Sequence, residues 1–166
     1  MADSADPAER RVLDHLRRHG VDHESIRIDP QHAQTAVFCE VYGYTLAESV
    51  NCIVVAAKTS VRAHVACLVQ ADRRLDVNGV VRKLMGVRKA SFAPPDETAA
   101  LTGMLPDGVT PFGLPDGLPV YVDGAVLEQQ RVIVGGGSRA LKLRVPATAL
   151  AQLPGAQVVE GLARPA

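Results

Sequence analysis

The sequence predicts an α+β fold: a mixed β-sheet with helices packed on it. Three observations predict it. Segments with helical and strand character are interspersed along the chain, with hairpins among the strands. Two Val-rich apolar runs, "NCIVVAA" and "AHVACLVQA", are separated only by the polar "KTSVR", as in two neighbouring strands of a hairpin. The G-x-G-x-x-G that follows an early strand in a doubly wound fold is absent, and the one glycine run comes late, at residues 135–137. A chain of 166 residues suits one domain, and 47% hydrophobic residues suffice for a core. With 4% aromatic residues and no Trp, that core is Val, Leu, Ala and Ile.

The elements follow in chain order. Asp6, Pro7 and Glu9 read as N-cap, N1 and N3 of a first helix. Val12, Leu13 and Leu16 give that helix its apolar face, and Gly20 ends it. "DHESIRID" is a short extended piece. "TAVFCEVYG" is a second helix, capped by Thr35 and stopped by Gly43, with Val37, Phe38 and Val41 at helical spacing. The two Val-rich runs come next. Their continuous apolar character says that both faces are covered. "DVNGVVRKLMG" reads as a third helix, with Asp76 as cap, Arg82 and Lys83 near its end and Gly86 beyond it. "RKASFA" is a short strand, and "PPDETAALTG" starts a helix with its prolines in the permitted first turn.

Residues 94–124 hold six of the eleven prolines and five of the fourteen glycines. "MLPDGVTPFGLPDGLP" is therefore an ordered loop of stiff and permissive residues, anchored by Val109, Phe112 and Leu114, and long enough to suggest function. Strands "VYVD" and "RVIV", the turn "GGGS", strand "ALKLRV", a short helix near "ATALAQL" and a strand near "AQVVEG" complete the chain. Only the last few residues read as disordered.

Composition excludes several functions. Lys and Arg number 18 and so do Asp and Glu, so the basic excess of a dedicated duplex-DNA binder is missing. Nucleic-acid contact must be local. Cys39, Cys52 and Cys67 are odd in number and fit no C-x-x-C spacing, which points to reduced thiols in a cytoplasmic protein. The N-terminus mixes acids and bases without the apolar run of a signal peptide. No apolar stretch approaches the ~20 residues that span a bilayer. The five histidines are scattered and form no H-E-x-x-H, so neither a metal nor another cofactor is expected.

Several residues can carry chemistry. Gly135, Gly136 and Gly137 either let a backbone approach a ligand or serve a turn that needs positive φ. Ser138 has no evident base, and G-x-S-x-G is absent, which argues against a serine hydrolase. Lys58 reads as a solvated turn residue, and Cys52 as a small hydrophobe unless His64 on the next strand faces it. Arg82, Lys83, Arg88 and Lys89 are either solvated helix-end charges or together a contact for a phosphate backbone. These residues alone do not name a function.

The string "GVTPFGLPDGLPVYVDGAVLEQQRVIVGGGSRALKLRV", residues 108–145, resembles the YbaK-type aminoacyl-tRNA deacylase domain, also found as the editing domain associated with prolyl-tRNA synthetase. That family has a G-x-x-x-P loop with a following P-F-G turn, an apolar strand ending in Asp, and a strand running into a glycine turn. Here these are Val109, Thr110, Pro111, Phe112 and Gly113, then Asp123, then Gly135 to Gly137. Thr35, the helix after it and "LDVNGVVRKLMGVRKASFAPPDETAALTG" resemble the earlier part of the family. The resemblance covers about residues 25–160, so residues 1–166 read as one such domain, with 1–24 an N-terminal helix.

The resemblance implies a mixed, partly barrel-like sheet flanked by helices. It implies trans-acting hydrolysis of mischarged aminoacyl-tRNA carrying small wrong amino acids, without a metal. A positioned water, backbone N–H groups on the carbonyl and the terminal ribose hydroxyl suffice for such a reaction. Partners would be tRNA and a synthetase. By resemblance, Gly108, Thr110, Pro111 and Gly136 belong to the catalytic site, as does Cys52, seventeen residues after Thr35, where the family carries a lysine. Thr35, Asp123, Gly135, Gly137 and Ser138 would bind substrate, with Arg82, Lys83, Arg88 and Lys89 on the tRNA. Asp107 stands where G-x-x-x-P has its first glycine. The alternative is a catalytically altered or inactive relative that binds aminoacyl-tRNA, a synthetase or a small ligand in the same pocket. Either way, the "DGVTPFG" loop and the Gly135–Ser138 turn are expected to face one another across a single pocket.

Overall fold

A computed structural model describes residues 6–59 and 62–166. Helix α1 spans Pro7–Arg18, and the Asp6 carboxylate accepts the amides of Ala8 and Glu9 at 2.8 and 3.0 Å. Val12 and Leu16 on its inner face are fully buried. Strand β1, Glu24–Arg27, leads to a 3-10 turn at Pro30–His32 and to helix α2, Thr35–Tyr42. The cap of α2 is Gln34, whose side chain accepts the Val37 amide, rather than the expected Thr35. The Thr35 hydroxyl is engaged elsewhere, by Asn51. Gly43 ends α2 at φ 80°, a left-handed conformation open to glycine.

Strands β2, Val50–Ala57, and β3, His64–Gln70, form the expected antiparallel pair, with Ile53 opposite Cys67. After β4, Arg73–Leu75, the expected third helix is split. Val77–Val81 forms a π-helical turn, in which the Val81 amide reaches back five residues to the Asp76 carbonyl at 3.0 Å. Only Arg82–Met85, α3, is α-helical. Then come β5, Ala90–Phe92; α4, Pro95–Thr102; β6, Val120–Asp123; and β7, Arg131–Gly135. The chain closes with β8, Leu141–Pro146; α5, Thr148–Ala151; β9, Ala156–Val159; and β10, Ala163–Pro165.

The strands make a five-stranded mixed sheet in the order β5-β2-β3-β6-β9 and an antiparallel sheet β1-β8-β7, with β10 paired to β4. The two larger sheets meet through a parallel bridge between Ser49 and Ile133. They curl around one core without closing into a barrel. Val50, Ala66, Leu68, Val120 and Val122 from one sheet meet Val132, Val134, Leu141, Leu143 and Val145 from the other. Each such side chain contributes about 1.5–3 kcal/mol when fully buried. The C-terminal residues are not disordered as the sequence suggests. Leu162 and Ala163 are buried in a second cluster with Val55 and Val65, which holds β10 in place. None of the described helices is long and apolar enough to cross a membrane.

Candidate functional site

The loop at residues 107–113 and the glycine turn touch directly. The Gly137 amide donates to the Gly108 carbonyl at 2.8 Å. A Cβ on Gly135 would lie 2.6 Å from the Val109 carbonyl oxygen, and one on Gly108 would lie 2.8 Å from the Ser138 backbone. These glycines thus serve close approach of two backbones. The cavity lies beside their contact rather than between them.

That cavity, about 360 Å³, opens between the two large sheets. Its apolar walls include Phe38, Ile53, Val54, Phe92 and Val134, and its rims are the start of α2 and the segment from Pro106 to Val109. It exists because β5 is short. β5 covers β2 only from Val55 to Ala57, and the Ala93 amide takes the Val54 carbonyl at 2.9 Å. Alternate residues of a strand present their backbone groups to the same edge, so those of Cys52 point, like those of Val54, toward this edge, which β5 leaves uncovered.

Three of the expected site residues line the cavity: Thr35, Cys52 and Gly135. Gly108 sits between two lining residues, Asp107 and Val109. The others are placed differently. Pro111 faces a separate groove of about 1200 Å³ beside α1. Thr110 is fully buried, and its Oγ1 has no hydrogen-bond partner. Gly136 packs on Leu141, and Gly137 on α1 at Ala8 and Val12. Ser138 Oγ donates to the Glu9 carboxylate and accepts the Ala140 amide, so it closes the turn. Asp123 is buried at the end of β6, where its Oδ1 accepts the Ala163 amide at 3.4 Å and burial raises its pKa. Arg82 turns back onto the Asn78 and Val87 carbonyls, while Lys83, Arg88 and Lys89 are exposed and outside the cavity. Lys58 is exposed beyond β2, next to Lys89 in the backbone ladder.

Two polar residues that the sequence reading passed over are central. Asn51 accepts the Thr35 hydroxyl at 2.7 Å, which joins β2 to the first turn of α2. Lys142, on the middle strand of the small sheet, is 5% exposed and reaches the cavity wall beneath α2. Its Nζ donates to the Ala33 carbonyl at 2.8 Å and the Asp107 carbonyl at 3.2 Å, and lies 5.5 Å from the centre of the Phe38 ring. Burial lowers its pKa. The signal for both was a polar residue inside an apolar run, Asn51 in "SVNCIVV" and Lys142 in "ALKLRV".

Asp107 holds the rim. At φ 65° it adopts the left-handed backbone that glycine favours, and Asp is one of the few side chains that tolerates it. Its carboxylate is held by Arg139 at 2.6 Å, and Arg139 also reaches the Pro30 carbonyl. Arg139 and Lys142 therefore tie the Asp107 rim to the segment leading into α2. Cys52 contributes no charge. Burial pushes its thiol up to about 12, so it is neutral at pH 7.

Residues 29–153 match the aminoacyl-tRNA editing domain family, and the chain belongs to that family. Solved structures agree in fold. A candidate trans-editing enzyme for prolyl-tRNA synthetase is 26% identical, with a TM-score of 0.83 over 98% of this chain and 100% of that one. A scaffold protein used in computational epitope grafting is 25% identical, with a TM-score of 0.81 over 97% of this chain and 99% of that one. The hypothetical protein APE2540, 23% identical with a TM-score of 0.83 over 93% and 99%, shares the fold.

Proposed function

We propose that this protein hydrolyses the ester of mischarged aminoacyl-tRNA in trans, and that the cavity between α2, the open edge of β2 and the Asp107 rim receives the aminoacyl group. The observation that carries this reading is the cavity itself, small and apolar-walled with a few converging polar groups, in a chain of the editing-domain family. Its volume of about 360 Å³ leaves room for an aminoacyl group. Thr35 and Asn51, bonded to each other, put polar groups in the lining, and the β2 edge offers backbone groups.

The chemistry asked of the protein is modest. A water oxygen attacks the ester carbonyl carbon, and the carbonyl π pair moves onto its oxygen. Collapse of the tetrahedral species breaks the bond to the ribose oxygen, which takes the proton lost by the water. Orientation and stabilisation of the oxyanion supply the acceleration. A general base on the protein is not required if the neighbouring ribose hydroxyl relays that proton.

A second reading, a non-catalytic binder of the same ligand, is favoured by one observation: the strand position where the family lysine is expected holds Cys52, a neutral thiol. One experiment separates the two. The protein is incubated with tRNAs charged with glycine, alanine, serine, cysteine and valine, and release of amino acid is followed. Release of one small amino acid at least tenfold faster than that of the others is expected. No release above the uncatalysed rate, together with saturable binding of one of them, would establish the binder.

A further inference from the structure

Lys142 is the one cationic side chain among the described residues that line the cavity, and neither reading above uses it. Buried cations are normally matched by a carboxylate. The acid among the lining residues is Asp107, whose carboxylate is taken by Arg139 at 2.6 Å. Lys142 is held by two carbonyl oxygens, of Ala33 and Asp107, which fix the ammonium in place without neutralising it. An ammonium has three N–H donors. Two are spent on these carbonyls, which leaves one N–H on a residue that lines the cavity. Lys142 comes from β8, where it lies opposite Gly135, another residue of the cavity wall. The site thus has a fixed cation that arrives from β8, whereas Cys52 lies on β2.

We propose that Lys142 is a catalytic residue of this site, donating its remaining N–H to the carbonyl oxygen of the scissile ester and to the oxyanion that forms there. This rests on the deacylase reading. Lys142 stays protonated throughout. The water proton goes to the ribose oxygen, and the lysine contributes a hydrogen bond that strengthens as negative charge develops. Its anchoring by backbone carbonyls makes it preorganised, the condition under which such donors are most effective.

The test uses Lys142→Met, which keeps an apolar stem as far as Cε but removes the ammonium, and Lys142→Ala, which leaves room for a small amine. The substrate is the charged tRNA released fastest in the panel above. With folding verified by circular dichroism, K142M is expected to lose about a hundredfold in kcat with KM changed less than threefold. Millimolar ethylammonium is expected to restore part of the K142A rate, which a merely structural clamp would not allow. In a second measurement on the wild-type protein, the lysine ¹⁵Nζ resonance missing from K142M should shift when 3′-alanylamino-3′-deoxyadenosine binds. Retention by K142M of more than a third of the wild-type kcat, absence of amine rescue, or no resonance shift on binding overturns the assignment while leaving the deacylase reading intact. A wild-type protein that hydrolyses none of the charged tRNAs overturns both.

Discussion

Asn51 and Cys52 are neighbours on β2 and contribute in different ways. Asn51 ties the strand to Thr35 and sets how α2 sits over the cavity. Cys52 is half-buried: it packs against the main core and also lines the cavity. With its thiol pushed up to about 12 by burial, Cys52 is a neutral side chain at pH 7. Cys52→Ala is therefore expected to change kcat less than threefold and stability by about 1 kcal/mol, and mass spectrometry should find no acyl-thioester during turnover. A trapped adduct on Cys52 would make the protein a cysteine-nucleophile enzyme instead. Lys142 gives a second expectation at this scale. Burial lowers its pKa first of all, Asp107 and Cys39 raise it, and Arg139 lowers it further. Between that lowered value and the ordinary one near 10.5, the unfolded chain binds more protons than the folded one. Stability therefore rises with pH across this window, and the full penalty of the buried charge is present below it. Urea unfolding at stepped pH should show the wild type gaining on K142M as pH approaches 10. A gap that widens in favour of K142M would contradict this. The counting rule that pointed to Cys52 lands one residue beyond the partner that Thr35 actually takes. A strand turns over its faces at every residue, so a count from a distant threonine cannot fix which neighbour faces inward.

The elements were more legible than the site. Helix α1, the β2–β3 hairpin, and strands β5 through β9 were written in periodicity and in turn residues. What stayed hidden was set by tertiary contact. β4 and β10 are three residues each and exist because Leu75, Leu162 and Ala163 are buried together. The π turn at Val77–Val81 follows from Asp76, whose carboxylate takes the Gly79 amide. Composition marked both the Pro/Gly loop and the glycine turn as special, but not that they pack on each other. That contact makes a prediction. Gly135→Ala would push a Cβ to within 2.6 Å of the Val109 carbonyl, a backbone atom that moves only if the whole rim moves. A destabilisation of about 1–3 kcal/mol is expected, with a loss of deacylation larger than the change in stability explains. Gly20→Ala is the control. It has φ 63° but nothing within 4 Å, so only the left-handed backbone penalty of about 1 kcal/mol applies and activity should be unchanged. Equal effects of the two in thermal unfolding and in turnover would remove the argument that the glycine turn shapes the cavity.

At the scale of the whole molecule, the balance of 18 basic and 18 acidic residues limits how a polyanion can be held. A tRNA that places its terminal aminoacyl group in the cavity must find its cations nearby. Phe92 forms part of the cavity wall, and Lys89 lies three residues earlier along the same strand run, ~10 Å away at ~3.3 Å per residue. Arg88 and Lys89 are exposed in the run that leads into β5 and Lys83 is exposed on α3, whereas the arginines of α1 are partly committed, Arg17 to Asp14 at 2.6 Å and Arg11 to the Thr102 carbonyl at 3.1 Å. The expected contact is therefore two to four phosphates, with a slope of log K against log salt of about −2 to −4. The double substitution Arg88→Ala, Lys89→Ala should raise KM for charged tRNA about tenfold, flatten that slope by about 1.5, and leave kcat nearly unchanged, because neither side chain reaches the ester. Filter binding across 50–300 mM salt measures the slope directly. A slope steeper than about −6, or one that the double substitution leaves untouched, would place the tRNA on another face of the molecule, with the α1 groove bearing Arg11, Arg17 and Arg18 the first to be mutated.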